Sequence, residues 1–231
     1  MEITLKNLAK RFGERVVFEG LSLTFKEGKI NCILGPSGCG KTTVLNILAG
    51  LTDCEGEVVK PEKVAYIFQN SRLLPNLTVW ENVEYPVLDM EKSARNERIE
   101  KLLKMVEVYD RRNDKPIELS GGMAKRVSMA RAYAYPAELL LMDEPFSALD
   151  LGLKLRQMQV YNNLYKEYPR TSVFVTHDID EALLFADTVT VLTSNGALAD
   201  TFEIFAPREG RTLFSPESVQ LKARLYEILS K

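Results

Sequence analysis

The sequence predicts an α/β fold in which a parallel-sheet core carries an antiparallel β subdomain and an inserted α-helical subdomain. Three observations lead there. The runs Leu139–Asp143, 172–176 and Thr188–Leu192 are short and mostly apolar, and helical stretches separate them; strands covered on both faces by crossover helices read this way. The segment Gly35-Pro36-Ser37-Gly38-Cys39-Gly40-Lys41-Thr42 lies between an apolar strand and an apolar helix, the strand–loop–helix order of a P-loop NTPase core. Between these regions the character changes: 70–135 is broken by Pro75 and Pro86 and is helical in pattern. A chain of 231 residues has room for one such domain. We divide it into a nucleotide-binding core (1–69 and 136–231) and a helical subdomain (70–135).

The elements follow in order. Residues 2–6 and 16–25 alternate apolar with polar side chains (Ile3, Leu5; Leu21, Leu23, Phe25) and read as antiparallel strands. Residues 29–34 form a buried strand running into Gly35. A helix over 42–51 presents Val44, Leu45, Ile47, Leu48 and Leu51 to the sheet, and 64–68 is a further strand ending at Gln69. In the inserted region, 91–109 is an amphipathic helix with Ile99, Leu102, Leu103 and Val106 on one side. A second helix starts at Ser120 and runs to about Tyr135, where Pro136 stops it. Ser215-Pro216 reads as an N-cap with proline at the first helical position. The terminal helix it opens has Leu221, Leu225, Ile228 and Leu229 on one side.

Composition removes several function classes. Lys+Arg 30 against Asp+Glu 32 gives no broad positive field, so no nucleic-acid partner is expected. No apolar stretch approaches the roughly 18–20 residues that span a bilayer, and the N-terminal residues lack a signal-peptide apolar run. A cytoplasmic protein is expected, one able to dock on a membrane partner. Cys32, Cys39 and Cys54 form no CxxC pair and read as free thiols of a reducing compartment. A redox switch through Cys39 is the minor alternative.

The chemistry-bearing residues cluster at predicted strand ends. Within 35–42, the glycines let consecutive N–H groups turn inward on phosphates, and the following helix adds its positive dipole end. Lys41 reaches the β- and γ-phosphate oxygens of ATP, Thr42 completes a Mg²⁺ shell, and Thr43 adds a phosphate contact. Leu139–Asp143 delivers a carboxylate at the C-terminal end of its strand, where α/β sheets bind ligands. Asp143 is expected to hold Mg²⁺ through water. Glu144 comes next, is expected to point the other way, and is the candidate general base toward the attacking water. Gln69, at the junction with the inserted region, has an amide able to meet Mg²⁺ or that water while the attached segment moves. Ser120-Gly121-Gly122 opens a helix with a hydroxyl and bare amides, chemically a second anion site. His177, the only histidine, follows a third strand, and a neutral imidazole both donates and accepts.

A P-loop alone fits kinases, GTPases and helicases. The order of P-loop, Gln69, Leu119-Ser120-Gly121-Gly122-Met123, Asp143-Glu144 and Val175-Thr176-His177-Asp178 resembles the ATPase subunit of ABC transporters over nearly the whole chain. The resemblance implies a twofold homodimer formed on ATP binding, in which the Ser120–Gly122 segment of one chain faces the γ-phosphate held by the other. It further implies that His177 contacts the γ-phosphate and that Ser147-Ala148-Leu149-Asp150, with Asp150, is a D-loop crossing that interface. Phe12 matches the aromatic that stacks on adenine; the residue types alone leave it open to being a core phenylalanine. The implied partners are transmembrane permease subunits and, indirectly, an extracytoplasmic solute-binding protein. The implied location is peripheral, on the inner face of the cell membrane. Leu73, Leu74, Leu77 and Trp80 offer apolar material for a groove that takes a permease helix.

Met123, and the segment from Gln69 to Val83, resemble the nitrate/sulfonate/taurine branch of importers. Methionine replaces the commonest glutamine there and cannot donate a hydrogen bond. Lys125 replaces a frequent glutamine, and 52–56 lacks the usual proline and serine. An ABC exporter or lipoprotein-release ATPase is a competing reading. Soluble ABC proteins of repair or translation carry long insertions or paired cassettes that are not seen here. A small-molecule kinase would not account for Ser120-Gly121-Gly122.

Overall fold

The computed structural model describes residues 2–147 and 149–230. In chain order these form β1 (Ile3–Phe12), β2 (Arg15–Phe25), β3 (Ile30–Leu34), α1 (Lys41–Ala49), β4 (Glu55–Val59), β5 (Val64–Ile67), α2 (Val79–Glu84) and α3 (Lys92–Met105). There follow α4 (Gly121–Ala134), β6 (Leu139–Asp143), α5 (Leu151–Glu167), β7 (Thr171–Thr176), α6 (Ile179–Phe185), β8 (Thr188–Leu192), β9 (Leu198–Glu203) and α7 (Pro216–Leu229). The strands build two sheets. A three-stranded antiparallel sheet has the order β2-β1-β4, and a six-stranded sheet has the order β5-β6-β7-β3-β8-β9. In the larger sheet every pairing is parallel except β8 with β9.

Strand periodicity sorts the core into two layers. On β6, Leu139 and Leu141 pack with Val44, Leu45 and Leu48 of α1 and with Leu5, Leu23 and Phe25 of the small sheet. Leu140 and Met142 face the opposite way, toward Val127, Met129 and Ala130 of α4 and Tyr161 and Leu164 of α5. The same layer takes in α2 and α3 through Val79, Val83, Ile99, Leu102 and Leu103. Because β6 keeps its period to the last residue, Asp143 falls on the α1 side. That alternation puts its carboxylate above the start of the helix that follows the glycine-rich loop.

The elements differ from the sequence expectation at the margins. β1 runs on to Phe12, with breaks in its pairing register and Asn7 at φ +52°. The helix expected over 42–51 ends at Ala49, because Gly50 turns left-handed (φ +72°) and its N–H caps the last carbonyls. Leu51 is therefore exposed rather than packed on the sheet. β4, β9 and α2 add to the elements expected. Ser215 caps α7 as anticipated, accepting from the Ser218 N–H, and only Leu225 of its apolar side is fully buried.

Candidate functional site

Every residue of β3 is buried, so the strand ends rigidly at Gly35 and the chain turns through 36–40 into α1. Gly40 caps that helix at φ +101°, and a Cβ there would sit 2.7 Å from Val17 and 3.1 Å from the Phe18 ring. Both the backbone angle and the space thus demand glycine. With no side chain capping α1, its first-turn N–H groups remain free to meet an anion. The Lys41 ammonium folds over the loop and donates to the Gly35 carbonyl (2.7 Å) and the Pro36 carbonyl (2.8 Å). An open cleft of about 310 Å³ lies against this loop, lined by Phe12, Arg15, Ser37, Lys41, Thr42, Thr43 and Glu144 among others.

Phe12 is 54 % exposed at the end of β1 and borders this cleft, which separates it from the core phenylalanines. Arg15, not singled out from the sequence, donates to the Gly38 carbonyl (3.3 Å) and adds a cation to the mouth. Nothing local in the sequence marks it, since a turn at Gly13 brings β2 back beside a loop more than twenty residues onward. Cys39 is buried, and desolvation raises its thiol pKa although Lys41 opposes the shift. Among the described residues Cys32, Cys39 and Cys54 are free thiols.

Thr42 donates from Oγ1 to Asp143 Oδ1 at 3.1 Å. Burial raises the Asp143 pKa, the Thr42 bond opposes this, and the neighbouring Glu144 charge adds to the rise. Glu144 does not simply continue the strand alternation. Its φ of +44° is left-handed, costly for a residue with a Cβ, and this turn swings its carboxylate over the cleft instead of into the α4–α5 layer. There it accepts from Gln69 Nε2 at 2.9 Å and meets His177 Nδ1 at 3.1 Å. A carboxylate only accepts, so Nδ1 is the protonated nitrogen in this contact. For Nε2 to donate to a phosphate, the ring must gain a second proton or release Glu144.

Packing holds the loop that makes this possible. Phe146, two residues on, is fully buried with its ring edge-on to Phe185 (5.0 Å) and Tyr161 (5.7 Å). Phe146→Ala is expected to cost ~3–5 kcal/mol of stability, read by denaturant unfolding. A loss below about 1 kcal/mol would show that the loop stands without this anchor.

The Ser120–Gly122 segment lies elsewhere. Ser120 caps α4, its Oγ accepting from the Met123 N–H at 3.3 Å. A Cβ at Gly121 or Gly122 would meet nothing within 4 Å, and neither has a positive φ. Neither backbone geometry nor packing within this chain therefore requires glycine at these positions. A second cleft, about 300 Å³, is lined by Ser120, Gly122, Met123, Arg126, Leu149, Leu153 and Gln157. It shares no residue with the first. Met123 packs partly against the core, replacing a polar contact with an apolar one. Asp150 caps α5 by accepting from the Leu153 N–H at 3.0 Å; Ala148 of the same motif lies outside the described residues.

Gln69 is tied to the inserted helices. Arg131 of α4 donates to the carbonyls of Ser71 (3.0 Å) and Arg72 (2.9 Å) just beyond it. Leu73 and Trp80 pack onto the core, whereas Leu74, Tyr85 and Leu88 are exposed. Among the described residues no helix is long and apolar enough to cross a membrane.

Known proteins resemble the chain over most of its length. Residues 18–147 match the ABC transporter family model. The chain is 40 % identical over 228 residues to the aliphatic sulfonates import ATP-binding protein SsuB 1 of Pseudomonas fluorescens, spanning 98 % of this chain and 86 % of that protein. It is 42 % identical over 210 residues to SsuB of Granulibacter bethesdensis, covering 90 % and 87 %. A dimeric structure of an ATP-binding cassette in a post-hydrolysis state, bound to ADP and Pi, superposes with a TM-score of 0.78 at 34 % identity. That match covers 89 % of this chain and all of the other. A P-loop, a separate serine–glycine helix start and a Gln–Glu–His cluster on one α/β core thus coincide with these matches, and the chain belongs to the ABC transporter family of ATP-binding subunits.

Proposed function

We propose that the chain is the ATP-hydrolysing motor of an importer for a small sulfonate-like or related organic solute, working as a twofold pair beneath membrane permease subunits. The observation that carries the pairing is the separation of the two clefts, together with glycines at 121 and 122 that only an approaching molecule would require. Each chain holds ATP on 35–43 with Phe12 against the base, and the partner's Ser120–Gly122 amides close over the γ-phosphate. Thr42 and Asp143 offer hard oxygen donors suited to Mg²⁺. Gln69 would add its side-chain amide oxygen to that set. When bound, the ion offsets phosphate charge.

Glu144 takes the proton of the attacking water, Gln69 orients the carboxylate, and His177 exchanges Glu144 for the γ-phosphate. Closure carries 70–135 inward through the Arg131 bonds to the backbone beyond Gln69. The chain sits at the inner membrane face through this region, and a separate solute-binding protein delivers the cargo.

The test is affinity purification of Glu144→Gln with ATP–Mg²⁺ from detergent-solubilised native membranes, identifying co-purifying chains by mass. A multi-span membrane protein is expected, together with a solute-binding protein if transport is inward. Recovery of soluble partners, DNA or ribosomes alone would overturn the transport reading.

A further inference from the structure

The frequent glutamine in the second turn of the helix opened by Ser120 is replaced here by Lys125, and the structure gives this lysine a specific task. Its ammonium donates to the Ser147 carbonyl at 2.8 Å. The Ser147 N–H in turn donates to the Glu144 carbonyl at 3.1 Å. A continuous path therefore runs from the Ser120 helix start, through Lys125 and Ser147, to the left-handed residue bearing the candidate base. Lys125 is half-buried, and desolvation lowers its pKa while the charges of Glu181 and Glu144 oppose this. Glu181 lies in the first turn of α6 and Glu144 in the loop after β6. Glu181 is only 4 % exposed, takes a bond from Thr176 Oγ1 at 2.5 Å, and pairs with Lys154 of α5 at 2.7 Å. Lys154 also reaches Asp178, beside His177, at 2.7 Å.

We infer that Lys125 is a positioning residue that links the two ATP sites of the pair. Resting on the closed dimer proposed above, it works as follows. The Ser120–Gly122 segment of one chain senses the γ-phosphate on its partner, whereas Glu144 of that same chain serves its own ATP. A shift of α4 on closure moves the Ser147 carbonyl, and with it the hydrogen-bonded turn that sets the Glu144 backbone. A lysine suits this better than glutamine because its longer stem reaches the loop and its charge strengthens the bond. A side chain without a donor would free Ser147 from the helix and leave each Glu144 blind to the other site.

The experiment uses purified wild type, Lys125→Met, Lys125→Leu and Lys125→Arg, each with native Glu144 and with Glu144→Gln. Monomer ATP affinity, ATP–Mg²⁺ dimerisation and the ATP dependence of hydrolysis are measured. Lys125→Met is expected to keep monomer affinity and to dimerise in the Glu144→Gln background. Its kcat should fall roughly five-fold or more, and its Hill coefficient from about 2 toward about 1, with Lys125→Arg restoring both. Unchanged kcat and cooperativity in Lys125→Met would overturn the inference. Failure of Glu144→Gln alone to dimerise would instead overturn the closed pair on which it rests. If Lys125→Met does not fold, Lys125→Leu decides: retained cooperativity refutes the link, and lost cooperativity with intact ATP affinity supports it.

Discussion

Glutamine at position 144 is expected to leave ATP binding near the wild-type level, to lower turnover by roughly 10²–10⁴-fold, and to hold two chains closed around ATP–Mg²⁺. Glutamine keeps the shape of the side chain and one acceptor, so the bond from Gln69, 2.9 Å in the native site, survives. It cannot take a proton from water. It also presents its amide N–H₂ as readily as its oxygen to the His177 N–H now 3.1 Å away, which loosens that contact. The lost charge has a second consequence. Burial is the main reason the Asp143 pKa is raised, and the Glu144 charge adds to it. Removing that charge moves Asp143 toward the ordinary carboxylate range, so its hold on a cation is not weakened. Binding and chemistry therefore separate in this variant. Single-turnover hydrolysis and gel filtration with ATP–Mg²⁺ check it: near-native turnover removes Glu144 as the base, and a persistent monomer removes the closed pair.

What could be read in the sequence follows burial. β6 and β8 fall where the sequence placed them, because every position of both strands is buried and the residues there are mostly apolar or β-branched. The P-loop was legible for a different reason: a glycine at φ +101° wedged against Val17 and Phe18 tolerates no other residue type. The strands β4 and β9 are half-exposed at best and leave no such imprint, and six-residue α2 is too short for a helical period. At the site, residue types were legible but not their meeting. Gln69 and Glu144 are 75 positions apart and touch through the pairing of β5 with β6. Strict alternation gave the wrong direction for Glu144, since no pattern announces a left-handed glutamate. Arg15 and Lys125 act through backbone carbonyls, Gly38 and Ser147, and a carbonyl has no residue type to search for.

The second large effect is at Lys41. Lys41→Ala is expected to weaken ATP binding by roughly 10–150-fold, the range of ~1.5–3 kcal/mol for a hydrogen bond to a charged group. Lys41 is only 6 % exposed, and its ammonium donates to the carbonyls of Gly35 and Pro36. Those two bonds hold a cation over the loop in advance, so little side-chain entropy remains to be lost when phosphate arrives. Alanine removes the charge, the bonds and the packed stem together, and a weakened site would not say which mattered. Lys41→Met separates them, because it restores an apolar stem of similar length without the ammonium. If the charge dominates, Met and Ala bind ATP equally poorly by equilibrium titration while Met recovers thermal stability lost in Ala. If Met instead binds ATP as wild type does, the lysine acts by filling the loop, and the phosphate-binding role falls to the Gly38–Thr43 amides and Arg15 alone.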